Sequence, residues 1–207
     1  GDAVTFIVSG SELAITSAGV LTFASAPDYE TKSSYTATVT ASDGVNSTTQ
    51  SITVSVTDVN DNSPVFTSSA TFTAAENQTA IGTVTATDAD GDAVTFIVSG
   101  SELAITSAGV LTFVSAPDYE TKSTYTATVT ATDGTYTTTQ AITIGIRNVN
   151  EAPTFTSSST FSAAERQTFI DGSIIATDDD GDSITYSISS GFIINSVTGV
   201  IRFTSNP

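Results

Sequence analysis

Cysteine, histidine, methionine and tryptophan are all absent from the 207 residues, and several of these absences close off a chemistry. Without cysteine there is no disulfide to brace a small fold, so some other device has to make its joints rigid. Without cysteine or histidine, the common zinc sites and nucleophile–histidine catalysis have no residues to use. Positive charge is scarce as well. Five Lys and Arg against 22 Asp and Glu give a formal charge of −17, which argues against nucleic acid as a partner. No apolar run approaches the ~20 residues that a membrane-spanning helix needs, so no membrane insertion by this segment is expected.

What is present is a repeat. Residues 1–44 align with residues 91–134 at an offset of 90 and differ only at Ala24/Val114, Ser34/Thr124 and Ser42/Thr132. Residues 181–203 continue the register more loosely, with Gly181-Asp182 matching Gly91-Asp92, Gly199 matching Gly109 and Phe203 matching Phe113. A period of about 90 residues is too long for a solenoid turn and suits a small independent domain. The expected organisation is a partial repeat at 1–62, a complete one at 63–151 and a partial one at 152–207. Gly1 falls where Gly91 falls and Pro207 where Pro117 falls, so the sequence reads as a window on a longer array.

The complete repeat alternates apolar and polar residues with period two. In 125–132, Tyr125, Ala127, Val129 and Ala131 face one way and threonines the other. Ile142, Ile144, Ile146 and then Val149 give a second such face. Strands are predicted at 66–74, 81–87, 94–99, 103–106, 110–114, 125–132 and 140–149. Short strands in this number, with turn signals between them, describe an immunoglobulin-like Greek-key β-sandwich.

The acids are clustered rather than scattered. Only Glu12, Glu102 and Asp171 fall outside short motifs, which separates a binding site from a solvated acidic surface. The densest motif is Asp58-Val59-Asn60-Asp61-Asn62, followed by Pro64 and Phe66, between two copies of the repeat. Oxygen ligands one or two residues apart are what a hard cation taking six to eight of them requires. Paired carboxylates recur beside each bridge, a distribution unlike an enzyme's single site. Asn46-Ser47-Thr48 and Asn77-Gln78-Thr79 also match the glycosylation sequon.

In order along the complete repeat stand Pro64-Val65-Phe66, Ala75-Glu76-Asn77, Asp88-Ala89-Asp90, Pro117-Asp118-Tyr119-Glu120, Ala131-Thr132-Asp133-Gly134 and Asn148-Val149-Asn150-Glu151. Together these motifs resemble the cadherin repeat, over essentially the whole chain. The resemblance implies an all-β array of tandem repeats joined by calcium-binding linkers, with no enzymatic activity. Carried onto the first joint, it implies Asp28, Glu30, Asp58, Asn60, Asp61, Asn62, Asp88, Asp90 and Asp133 as ligands. At the second joint it implies Glu76, Asp118, Glu120, Asn148, Asn150 and Glu151, the carbonyl of Ala152, and Asp178 and Asp180. The second joint departs from the family: Asn148 and Glu151 replace aspartates, and the bridge to the next Phe is one residue shorter. Fewer negative charges imply weaker binding there.

With no tryptophan to anchor an exchanged strand, and with near-identical copies, the chain looks most like the cadherin-like repeats of bacterial surface adhesins. That resemblance implies an extracellular, cell-surface extender stiffened by Ca2+ bound between neighbouring repeats. A directly adhesive module, homophilic or glycan-binding, is the alternative. End-to-end self-association, one copy's strands completing another's partial repeat, is a further expectation on partners.

Overall fold

The computed structural model describes residues 3–189 and 191–204; Gly1 and Pro207, used above to place the repeat boundaries, lie outside the described residues. Among these residues every named element is a strand. The first segment carries β1 (Thr5–Val8), β2 (Leu13–Ile15), β3 (Leu21–Phe23), β4 (Ser34–Ser42) and β5 (Ser47–Ser55). The middle segment carries β6 (Val65–Phe66), β7 (Thr71–Ala75), β8 (Ala80–Thr83), β9 (Ala86–Thr87), β10 (Thr95–Val98), β11 (Leu103–Ile105), β12 (Val110–Phe113), β13 (Thr124–Thr132) and β14 (Thr137–Arg147). The last carries β15 (Thr154–Phe155), β16 (Phe169–Ser173), β17 (Ala176–Thr177), β18 (Phe192–Ile194) and β19 (Val200–Phe203).

The middle segment is a sandwich. One sheet has the order β10-β13-β14-β7, the other β11-β12-β8, and the short ribbon β6–β9 stands beside them. The period-two pattern decides what each strand buries. Val129 and Ala131 of β13 and Ile142, Ile144 and Ile146 of β14 point inward onto Val84, Phe96, Leu103, Leu111 and Phe113. Removing such aliphatic side chains from water contributes about 1.5–3 kcal/mol each. The threonines between them face solvent, where branched side chains still suit a strand.

The strand predicted at 66–74 is two strands. Val65–Phe66 pairs antiparallel with Ala86–Thr87, whereas Thr71–Ala75 crosses to the other sheet and pairs parallel with β14. The break is polar: Ser69 Oγ accepts the Thr71 N–H and Ser68 Oγ accepts the Thr85 N–H. The prediction at 81–87 also divides, into β8, which pairs with β12, and β9, which pairs with β6. Val149, expected on the inward face, lies beyond the end of β14 and is exposed.

The flanking segments repeat parts of this plan. β4 pairs with β5 and β1 in the registers of β13 with β14 and β10. The first segment buries its apolar face less deeply: Ile52 is half-buried, whereas its counterpart Ile142 is 1% exposed. In the last segment β16, β19 and β18 form one sheet and β15 and β17 another. Gly109 and Gly199 end the turns before β12 and β19 at φ +85° and +68°. Each also lies so close to a carbonyl, that of Val84 or Ile174, that a Cβ would overlap it.

Candidate metal centres

Loops at the pole of each repeat bring the acids together. After β3, Asp28 folds its own loop: Oδ1 accepts the Thr31 N–H at 3.0 Å and Oδ2 accepts the Thr31 hydroxyl at 2.9 Å. This turn positions Glu30, which reaches a cluster with Asp61 of the bridge and Asp90 of the loop after β9. One carboxylate oxygen from each lies within 4.8 Å of the others. Asp88, Asp90 and Asp92 form a second group of the same tightness. The bridge is fastened to this loop by Asp90, which accepts the Asn62 N–H at 2.9 Å and the Asn62 amide at 2.9 Å.

Several side chains at this joint are satisfied at one atom only. Asn60 donates its amide to Asp92 at 2.6 Å, and its Oδ1 is left without a partner. Asp88 Oδ1 accepts the Asp90 N–H, and its Oδ2 is left unpartnered. Asp133 Oδ1 accepts the N–H groups of Thr135 and Tyr136, and again Oδ2 is unpartnered. All three free oxygens are shielded from solvent. Buried oxygens without a donor cost free energy unless something positive meets them, and an all-oxygen set of carboxylates and an amide carbonyl fits a hard divalent cation.

The second joint is built around Glu76, which is only 3% exposed. Its two oxygens accept the N–H groups of Val149 and Tyr119, each at 2.7 Å, so one carboxylate ties the loop after β7 to the bridge and to the loop after β12. Glu76, Asp118 and Glu120 bring oxygens within 4.8 Å of one another. The Glu151 N–H is donated to Asp180 at 2.7 Å, the Asn148 amide to Glu120 at 2.8 Å, and the Asn77 amide to Glu151. Glu151 Oε2 is shielded and unpartnered.

The electrostatics follow the crowding. Loss of solvent, then the charges of Glu76, Asp180 and Asp118, hold the Glu120 carboxyl above its ordinary range. Glu151 is raised by the same desolvation and by Glu76, Asp180 and Glu120, against the Asn77 amide. Glu30 is pulled down by its own backbone N–H, yet desolvation and Asp90 outweigh this and leave it raised. Asp90 is lowered chiefly by Asn62, and Asp28 and Asp118 by the N–H and hydroxyl of Thr31 and Thr121.

Comparison with known proteins places this geometry. Solved structures of protocadherin gamma B2 extracellular cadherin domains 3–6 and of mouse cadherin-23 EC22–24 superpose with TM-scores of 0.64 and 0.63. Each alignment covers 99% of this chain, with 59% and 76% of the respective partner, at 21% and 23% identity. Protocadherin Fat 4 of Mus musculus is 37% identical over 229 residues, covering 94% of this chain and 5% of its own length. The chain has the cadherin-repeat fold. A further cadherin, the mouse cadherin EGF LAG seven-pass G-type receptor 2, is 30% identical over 218 residues, covering 89% of this chain and 7% of its own length. A family profile described as a bacterial Ig domain matches residues 60–145. This chain therefore spans a small fraction of the curated cadherin relatives it matches. The cadherin-repeat family is non-enzymatic.

Of the residues singled out in the sequence, Glu30, Asp61, Asp88 and Asp90 fall in the acidic groups of the first joint, and Glu76, Asp118 and Glu120 in that of the second. Asn60 donates to Asp92 of the second acidic group there, and Asn60 Oδ1 and Asp133 Oδ2 are shielded and unpartnered. Asp58 stands exposed at the start of its bridge, outside both groups. Asp178 accepts the Asp182 N–H, and the Asn150 amide turns back onto the Glu151 carbonyl. Two further residues outside the implied ligand sets stand at the joints. Asp92, whose Asp-Gly-Asp setting suits a turn and a ligand about equally, stands in the group with Asp88 and Asp90, and the alternation of the three acids is the signal. Asn77, which stands in the Ala75-Glu76-Asn77 motif and in a sequon but in neither implied ligand set, sits at φ +61° and donates its amide to Glu151.

Proposed function

We propose that this chain is a segment of a calcium-rigidified extracellular stalk, in which the two joints bind Ca2+ and fix the angle between successive repeats. The single observation that carries this is the Glu30, Asp61 and Asp90 group, drawn from the preceding repeat, the bridge and the following repeat with one carboxylate oxygen of each within 4.8 Å of the others, at a joint where Asn60 Oδ1, Asp88 Oδ2 and Asp133 Oδ2 are shielded and without donors. These ligands come from both sides of the bridge and from the bridge itself. A cation bonded to all three parts restrains the angle between them; without it, like charges repel.

At the first joint the ligands are Glu30, Asn60, Asp61, Asp88, Asp90 and Asp133, with Asp28 and Asp58 adding charge and Asn62 positioning Asp90. At the second they are Glu76, Asp118, Glu120, Glu151 and Asp180, with Asn148, Asn150 and Asp178 beside them. The proposed repeat boundaries are 1–62, 63–151 and 152–207. Extracellular modules bind calcium with dissociation constants on the order of 0.1–1 mM, so such a stalk stiffens outside the cell. The extracellular domains among the similar structures support a cell-surface location. The near-identical copies and the bacterial Ig match support a long array on a bacterial surface. Small-angle scattering of the chain in calcium and in chelator tests the reading. A long particle that shortens or broadens on chelation is expected; an unchanged profile overturns it.

Direct adhesion by the repeats is the second reading. Ile97, 66% exposed on the edge strand β10, favours it. Sedimentation in calcium with Ile97→Lys decides: self-association that this variant abolishes supports adhesion, and a monomer at all concentrations removes homophilic contact.

A further inference from the structure

Asparagine amides reach carboxylates at both joints, but on different sides of the bridge: at the first, Asn60 donates to Asp92 and Asn62 to Asp90, acids of the following repeat, whereas at the second the amide bonds link the bridge to the preceding repeat. Where the first bridge has Asp58, the second has Asn148. Its amide donates to Glu120 Oε1 at 2.8 Å. The equivalent places at the first joint hold two acids, Asp58 and Glu30, which cannot donate to one another when ionised. From the same preceding repeat the Asn77 amide donates to Glu151 Oε1, and the Glu151 N–H is donated to Asp180 Oδ2 of the following repeat at 2.7 Å. Hydrogen bonds thus run from the loop after β7, through the bridge, to the loop after β17.

An amide N–H presents the positive end of a dipole to a carboxylate, which is the role a cation has elsewhere, and it cannot itself bind a cation. The unpartnered oxygens agree. At positions present at both joints, Asn60 Oδ1 and Asp88 Oδ2 are shielded and unpartnered at the first, whereas at the second Asn150 is exposed and donates to the Glu151 carbonyl, and the shielded unpartnered oxygen is Glu151 Oε2. The donor set of the second joint therefore fits a full complement of cations less well than the first.

We propose that Asn77 and Asn148 form an amide clasp that takes the place of a cation at the second joint, so that this joint keeps its angle at calcium levels that release the first. The inference rests on the calcium-stalk reading of the first joint. It assigns Asn77 a positioning role and makes the two joints of one chain unequal in their dependence on calcium.

Paired spin labels test it, and the lack of native cysteine makes each introduced pair unique. Ser51→Cys with Ala93→Cys spans the first joint, and Ala141→Cys with Ser183→Cys spans the second at equivalent positions. On chelation the first distance distribution is expected to widen about twofold, from released charge repulsion, while the second stays as narrow as in calcium. Adding Asn148→Asp and Asn77→Gly should make the second pair widen on chelation and narrow again in calcium. Glycine is chosen because it accepts the positive φ of position 77. A second pair that widens in the unsubstituted chain, or that stays narrow in chelator after both substitutions, overturns the clasp while leaving the stalk standing. A first pair that ignores chelator overturns the calcium reading, and the clasp with it.

Discussion

At the scale of single residues, Glu76 and Gly109 have the most to lose. Glu76→Ala leaves the N–H groups of Tyr119 and Val149 without their acceptor, and should cost about 1–3 kcal/mol in chelator, read from urea unfolding followed by tyrosine fluorescence. Gly109→Ala combines positive φ with overlap of the Val84 carbonyl; a loss of roughly 3 kcal/mol is expected in the same assay. The carboxyls set a pH dependence whose sign differs by residue. Glu30, Glu120 and Glu151 titrate above their ordinary 4.5, so their stabilisation is full below 4.5 and is lost as pH rises through the raised values. Asp28, Asp90, Asp118 and Asp133 titrate below 3.8; theirs is present above 3.8 and is lost as pH falls through the lowered values. In chelator, Tm should therefore rise from pH 7 towards about 4.5 and drop on further acidification. A steady fall from pH 7 would show that the glutamates do not crowd one another. The acids were legible in the sequence because clustering itself betrays them. Asn77 was not, since its meaning lies in a backbone angle and in a partner 74 residues away.

At the scale of elements, the long strands were legible and the short ones were not. Tyr125 to Thr132 and Ile142 to Ile146 alternate so regularly that only a half-buried strand suits them. The division of 66–74 was hidden because Phe66 and Phe72 both look inward; what separates them is the pair Ser68-Ser69, whose hydroxyls take backbone partners. Which sheet each half joins is a tertiary choice that local pattern does not encode. The repeat also offers an internal control on burial. Ile142→Ala, at a site 1% exposed, should cost about 3 kcal/mol. Ile52→Ala, its half-buried counterpart in the first segment, should cost about 1 kcal/mol. Equal losses in urea unfolding would mean that the first segment packs as tightly in solution as the middle one.

For the molecule as a whole, a net charge of −17 concentrated at the joints makes salt a partial substitute for calcium. In chelator, raising sodium chloride to 1 M shortens the screening length to about 3 Å and should restore part of the particle length seen by scattering. In calcium the same salt should change little. The strand order of the middle repeat bears on how such a chain answers a pull. The first long strand, β7, lies parallel beside the last, β14, in a ladder from Thr71 opposite Thr143 to Ala75 opposite Arg147. Tension applied through the two bridges drags these neighbours in opposite directions along their length. All rungs of that ladder are loaded at once rather than peeled one after another, so against a pull through its two bridges the repeat has the geometry of a shear clamp.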